Sequence, residues 1–260
     1  MGKSLIKFSE KLIDRLKVAY NVVVLTGAGM SAASGVPTFR GKDGLWNKFN
    51  PEELANINAF LRNPDLVWEW YSWRRNLIKN VNPNLGHYAL VDMEQYFPEF
   101  AVITQNVDNL HQQAGSKSVI ELHGNIMRNK CIDCGQYISE EDLLKLEEEA
   151  EKKVPHCPQC GGLIRPDVVW FGELLPQDAI EKARELSAAA EVFFSVGTSS
   201  QVEPAASLPY LAKGNGAYLV EINPEATPLS SVADECLREG VEKVLPALSM
   251  EIEKIRKRIK

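Results

Sequence analysis

Four cysteines, Cys131, Cys134, Cys157 and Cys160, form two C-x-x-C pairs separated by the 22 residues 135–156. Two such knuckles bring four thiolates to the reach of one tetrahedral zinc, and Gly135, Gly161 and Gly162 permit the tight turns. Four thiolates leave no open coordination position, so the ion is expected to be structural rather than catalytic. The competing reading, buried cysteines with no metal, is disfavoured by this spacing. Cys236 reads as a small core hydrophobe. A second group is His123 in IELHGN. A lone histidine is often structural, but this one follows a short apolar run and precedes the cysteine segment. QNVDNLH adds Gln105, Asn106, Asp108 and His111, although Asp108 or Asn106 could equally cap the turn leading to His111.

Gly27-Ala28-Gly29-Met30-Ser31-Ala32 satisfies the loose pattern G-x-G-x-x-G/A, in which glycines let backbone amides approach a pyrophosphate. A dehydrogenase would show a second strand ending in an acid about 20 residues on. The chain runs instead into PTFRGKDGLWNKF, so a dinucleotide fits but hydride transfer loses support. VWEWYSWRRNLI reads as helix, with Val67, Trp70, Tyr71, Leu77 and Ile78 on an apolar stripe and Arg74 on the same face. An arginine cannot lose its proton, so Arg74 needs an anion or must reach water. Either it pairs with Asp65 or Glu69 while Tyr71 fills core, or Tyr71 and Arg74, one turn apart, converge on a small anion. Arg75 is expected to face elsewhere.

These groups require elements to hold them. The 260 residues, 45% hydrophobic and 25% charged, are those of an ordinary globular protein. The net charge of −6 argues against nucleic acid as main ligand. No window offers the roughly 20 apolar residues of a membrane span and the start lacks a signal-peptide core, so a cytoplasmic protein is expected. NVVVLTGAG, FAVITQN, EVFFSVGTSS and AYLVEINPE are short β-branched runs ending in polar loops, with helical stretches such as PQDAIEKARELSAAA between them. That alternation predicts an α/β fold, a doubly wound parallel sheet with ligands beyond the strand C-termini. A first helix is expected over Leu5 to Ala19. Two segments break the pattern: a helical insertion over 42–85 and a zinc-ribbon insertion over 125–165. Together they are expected to form a smaller domain beside a Rossmann-like domain of 1–41, 86–124 and 166–260. VVWFGE reads as a short strand with an open edge to which an extended peptide could add.

GAGMSAASGVPTFRG, TQNVDNLH, ELHG, the paired C-x-x-C, VVWFGE, GTSSQVEPAA and EINPE follow the order found in sirtuins, the NAD-dependent protein lysine deacylases. The resemblance runs from about Ala19 to Leu248. Ala33, Val36 and Asn109 depart from commoner family residues without removing a chemical group. The resemblance implies NAD as co-substrate, with the amides of Gly27, Ala28 and Gly29 at the pyrophosphate and Ser31, Pro37, Trp46 and Val107 also in the binding set. It places Gly197, Thr198, Ser199, Asn223, Pro224 and Glu225 around the adenosine half, and Val241 near the adenine. Phe39 and Arg40, on the loop after Pro37, would cover the ribose, Gln105 would lie beside it, and Asn106 and Asp108 would face the nicotinamide. His123 would be the general base, with Asn106 and Asp108 as its catalytic neighbours. Val168, Phe171, Gly172 and Glu173 would line a lysine tunnel. In one sirtuin branch a Tyr-x-x-Arg pair at the place of Tyr71 and Arg74 recognises a carboxylate on the acyl chain, as in succinyl- or malonyl-lysine. The implied products are nicotinamide, free lysine and O-acyl-ADP-ribose, the implied partners acyl-lysine proteins, and a monomer is expected. Mono-ADP-ribosyl transfer and NAD sensing without turnover are the competing readings.

Overall fold

The computed structural model describes residues 6–39, 44–151 and 153–257. Among the described residues nine strands are formed, β1 (Asn21–Thr26), β2 (Glu99–Thr104), β3 (Val119–Glu121), β4 (Gly124–Cys131), β5 (Tyr137–Ile138), β6 (Ile164–Val168), β7 (Val192–Val196), β8 (Tyr218–Ile222) and β9 (Glu235–Leu237). Six of them make one parallel sheet in the order β3-β2-β1-β7-β8-β9. The chain builds outward from β1 through β2 to β3, then returns to the other side of β1 to lay down β7, β8 and β9. The carboxyl ends of β1 and β7 are therefore neighbours at the point where strand order reverses, which is where doubly wound sheets bind ligands.

Period-two alternation sends Val22 and Val24 to one face and Val23 and Leu25 to the other. The first face is covered by the helices Glu10–Val18, Leu85–Glu94 and Val241–Lys257, through Leu12, Leu16, Leu90, Met93, Leu248 and Ile252. The second is covered by Gln177–Ala189 and Leu208–Gly214, through Ile180, Ala183, Leu208 and Ala212. Burial on both faces explains why these strands read as continuous apolar runs.

A separate core lies outside that sheet. The helix Pro64–Lys79 contributes Val67, Trp68, Trp70, Tyr71 and Ile78, which pack with Phe60, Ile126, Leu143, Trp170, Cys131 and Cys157. Its sheet is antiparallel, in the order β5-β4-β6.

Two sequence expectations need correction. The first helix begins at Glu10 rather than Leu5, because Ser9 is extended and its Oγ accepts from the Leu12 N–H at 3.1 Å, which fixes the start. Only the first residue of VVWFGE, Val168, lies in a strand, and Phe171 adds a single parallel bridge to Asn56. β6 ends at Val168, and the Glu173 carboxylate folds the following residues back on themselves by accepting from the Trp170 N–H (2.8 Å) and from both terminal nitrogens of Arg165. Gly172 turns the chain at φ +90°, and the Phe171 N–H donates to Ala55 O at 2.8 Å. A charge-assisted clamp outweighs the strand preference of Val, Trp and Phe.

Candidate active site

Parallel strands release their loops at the same end, so Gly27, Gln105 and Gly197 leave β1, β2 and β7 side by side. Two of these loops touch backbone to backbone: the Gly27 N–H donates to Val196 O (3.0 Å) and the Gly29 N–H to Gly197 O (2.8 Å). The contact admits no side chain, since a Cβ on Gly197 would lie 2.5 Å from the Met30 nitrogen. The amides of Gly27 and Gly29, expected to hold a pyrophosphate, are thus engaged between the loops.

The β2 loop crosses the same place. Asn106 Nδ2 donates to Gly27 O (3.0 Å) and Ser31 Oγ (3.2 Å), and Ser31 Oγ donates to Asp108 Oδ2 (2.6 Å). Asp108 Oδ1 accepts from the Leu110 N–H at 3.0 Å, so this residue also caps the turn before His111. Burial raises the Asp108 pKa, opposed by the Ser31 bond, the Leu110 N–H and the Arg74 charge. Gln105 Nε2 donates to Thr198 Oγ1 (3.1 Å), and Asn223 Nδ2 to Thr198 O (2.9 Å), which ties the β7 and β8 loops to the crevice.

His123 follows β3 and is half-buried. Its Nδ1 lies 2.9 Å from Gln105 O. A carbonyl only accepts, so Nδ1 carries the proton and Nε2 keeps a free lone pair. Burial lowers the His123 pKa, only partly offset by that bond, which keeps the ring neutral.

Tyr71 and Arg74 are both buried, at 3% and 6% exposure. Among the described residues no carboxylate ion-pairs with Arg74. Its Cζ lies 4.8 Å from the Phe39 ring centre and 5.0 Å from that of Trp70. Asp65, a suggested partner, instead accepts from the Val154 N–H at 2.9 Å. Tyr71 Oη accepts from Trp170 Nε1 at 2.9 Å, and burial pushes its pKa up to about 12, so the phenol stays protonated. Arg75 points the other way, bonded to Asn129 and 3.7 Å from Glu147. Trp46 stacks on Trp70, with ring centres 6.1 Å apart, and Phe39 lies 5.0 Å from Trp46.

The four cysteine sulfurs lie within 4.8 Å of one another, with Cys131–Cys160 at 3.4 Å and Cys134–Cys157 at 3.8 Å. A tetrahedron with Zn–S bonds of about 2.3 Å has S–S edges of about 3.8 Å, so the set fits one zinc.

The Sir2 family model matches residues 27–204. The NAD-dependent protein deacylase of Aquifex aeolicus (strain VF5) is 57% identical over 228 residues, 86% of this chain and 93% of that protein. That of Pyrococcus abyssi (strain GE5 / Orsay) is 51% identical over 237 residues, 90% and 94% of the two chains. The chain belongs to the Sir2 family. A solved Sir2 homolog–NAD complex superposes with a TM-score of 0.87 at 42% identity, covering 100% of this chain and 98% of that one. A Sir2–p53 peptide–NAD+ structure does so with a TM-score of 0.85 at 36% identity, covering 94% and 98%.

In this Sir2 chain the structure brings Gly27, Gly29, Ser31, Gln105, Asn106, Asp108, Gly197, Thr198 and Asn223 into one bonded crevice, with His123 held to its edge. Ala28, Pro37, Val107 and Ser199 are half-buried beside it, whereas Pro224 and Glu225 are exposed. Val241 is buried in the core cluster of the first sheet face. Arg40 lies outside the described residues. Val168 is buried in the aromatic core, Phe171 and Gly172 are exposed, and the Glu173 carboxylate is occupied by Arg165. The sequence reading missed Thr26, Asn84, Thr104, Arg165 and Trp170. Thr26 and Thr104 were signalled only as polar last residues of apolar strands. Among the described residues no helix is long and apolar enough to cross a membrane.

Proposed function

We propose that this chain is an NAD-dependent protein lysine deacylase. The observation that carries the reading is the neutral His123, its Nδ1 held by Gln105 O so that Nε2 is free, at the edge of a crevice built by Asn106, Asp108 and the interlocked glycine loops. When bound, NAD supplies an electrophilic ribose carbon as nicotinamide departs, and the acyl oxygen of the modified lysine attacks it. The chain's own part is positional and basic. Asn106 and Asp108 present buried polar groups on the nicotinamide side, the glycine loops exclude water, and His123 Nε2 takes a proton from a ribose hydroxyl. The deprotonated ribose oxygen would then take the acyl carbon as the lysine amine leaves, and one water would complete the balance to nicotinamide, free lysine and O-acyl-ADP-ribose. Four thiolates give zinc a structural role through Cys131, Cys134, Cys157 and Cys160. The proposed small domain of 42–85 and 125–165 is supported by the aromatic core in which Leu54, Trp70 and Tyr71 pack with Ile126, Cys131 and Cys157.

The acyl group is proposed to carry a carboxylate. Among the described residues Arg74 is a buried cation with no ion-pairing carboxylate, Asp108 acting on it only through space, beside a phenol that remains a donor at neutral pH, and such a charge is costly to leave unpaired. A succinyl or malonyl terminus would supply the missing oxygens. The test is kcat/KM with NAD for one peptide bearing acetyl-, malonyl- or succinyl-lysine. Arg74→Met is expected to cut the acidic substrates by 100-fold or more and to leave acetyl within threefold. An unchanged ratio defeats the carboxylate reading alone. No turnover of any acyl group, with label from the ADP-ribose half found on protein, favours transfer instead.

A further inference from the structure

Two histidines that the proposed chemistry does not use lie beneath the crevice. His87 and His111 are 0% and 1% exposed, with ring centres 4.9 Å apart. His87 Nδ1 accepts from the Asn84 N–H at 3.2 Å, so in the neutral ring the proton sits on Nε2. His111 Nε2 lies 3.0 Å from Thr26 Oγ1, and the Thr26 proton goes to Thr104 Oγ1 at 2.8 Å. His111 Nε2 must therefore donate, leaving Nδ1 as a bare acceptor. The two remaining atoms, His87 Nε2 and His111 Nδ1, are buried and bond to no other group among the described residues. One is a donor, the other an acceptor, and they belong to adjacent rings.

We propose that His87 and His111 are a neutral, hydrogen-bonded positioning pair that fastens the two cofactor loops to each other from below. On one side, Asn84 Nδ2 donates to Met30 O (2.9 Å) and Ser34 Oγ (3.0 Å), gripping the segment that follows the glycine loop. On the other, His111 reaches Thr26 and Thr104 at the ends of β1 and β2, and Thr104 Oγ1 accepts from the Asn106 N–H at 3.0 Å. The imidazole pair is the link that completes one buried polar chain from Met30 to Asn106. The two adjacent rings, with centres 4.9 Å apart, would have to turn for the last donor to meet the last acceptor, and that bond would remove two buried unsatisfied groups at once.

The test has two parts. On the unaltered protein, long-range 15N–1H correlation of its four histidines at pH 7 is expected to show His87 and His111 both neutral with the proton on Nε2, and a slowly exchanging His87 Nε2–H. A proton on Nδ1 of either ring, or a charged ring, overturns the pairing. In steady-state kinetics, His87→Gln and His111→Gln are each expected to raise KM for NAD by tenfold or more, with KM for the acyl peptide within threefold. If they act as a pair, the double variant is no worse than the worse single variant. Multiplicative effects, or a fall in Tm with KM for NAD unchanged, would show two separate structural histidines. This outcome is read independently of acyl preference, since any accepted acyl peptide serves.

Discussion

Gly197→Ala should damage the protein in a way that can be separated from ordinary glycine replacement. Gly197 has φ +60°, where an L side chain costs about 1–2 kcal/mol. Its added Cβ would also meet Met30 N at 2.5 Å and Gly29 C at 2.6 Å, both backbone atoms that no rotamer change can clear. Forced overpacking of that kind adds about 1–3 kcal/mol, for a total of about 2–5. For a chain of this size that corresponds to a Tm lowered by roughly 4–20 °C. Gly216 supplies the control: φ is +95°, and nothing lies within 4 Å of a built Cβ. Gly216→Ala therefore carries only the conformational cost of about 1–2 kcal/mol, or roughly 2–8 °C. Calorimetry of both variants gives the difference. KM for NAD should rise at least tenfold for Gly197→Ala alone, because the displaced atoms are those of the glycine loop. Equal Tm values and equal KM values for the two variants would refute the claim that the loops are interlocked by contact.

Three further outcomes are expected. Stripping zinc with a chelator, or Cys157→Ser, should abolish amide-exchange protection in 126–170 while β1 and β7 stay protected, as mass spectrometry of the exchanged protein would show. Acid should destabilise the fold through its buried histidines. Unfolded imidazoles bind a proton near pH 6.5, whereas folded His87 waits until about 4 and His111 until about 3. Stability is then complete above pH 6.5 and lost as pH falls through that window, on the order of 3 kcal/mol from His87 alone, measured by urea titration at each pH. Because burial also depresses His123, kcat/KM should be flat at neutral pH and decline only below 6.5, and His123→Ala should lower it by 100-fold or more without that acid limb.

The sheet was legible because β1, β2, β7 and β8 are buried on both faces and therefore spell continuous apolar runs. β3 and β9 were not, being three residues long and partly exposed. VVWFGE misled because its residues favour strands, and only the three-dimensional meeting of Arg165 with Glu173 reveals the clamp. The cysteine knuckles and the polar strand ends could be read from spacing. Spacing alone could not tell whether Arg74 pairs with Asp65. The answer rested on where Asp65 goes, and it goes to the Val154 amide across 89 residues of sequence. The pairing of His87 with His111 has no local signature at all, since each looks like any helical histidine until the helices are packed.

The division of the core has a consequence for how such a chain can change over generations. Tyr71, Trp70 and Trp170 share their packing with the zinc-bearing cysteines, while the glycine loops and Asn106 rest on β1, β2 and β7. Arg75, bonded to Asn129 of β4, pins the helix of Arg74 to the first of these foundations. Substitutions at the proposed acyl site would thus repack the aromatic core while the two sheet-face cores keep their own contacts, and among the described residues only Phe39, Val107 and Asp108 would feel both sides.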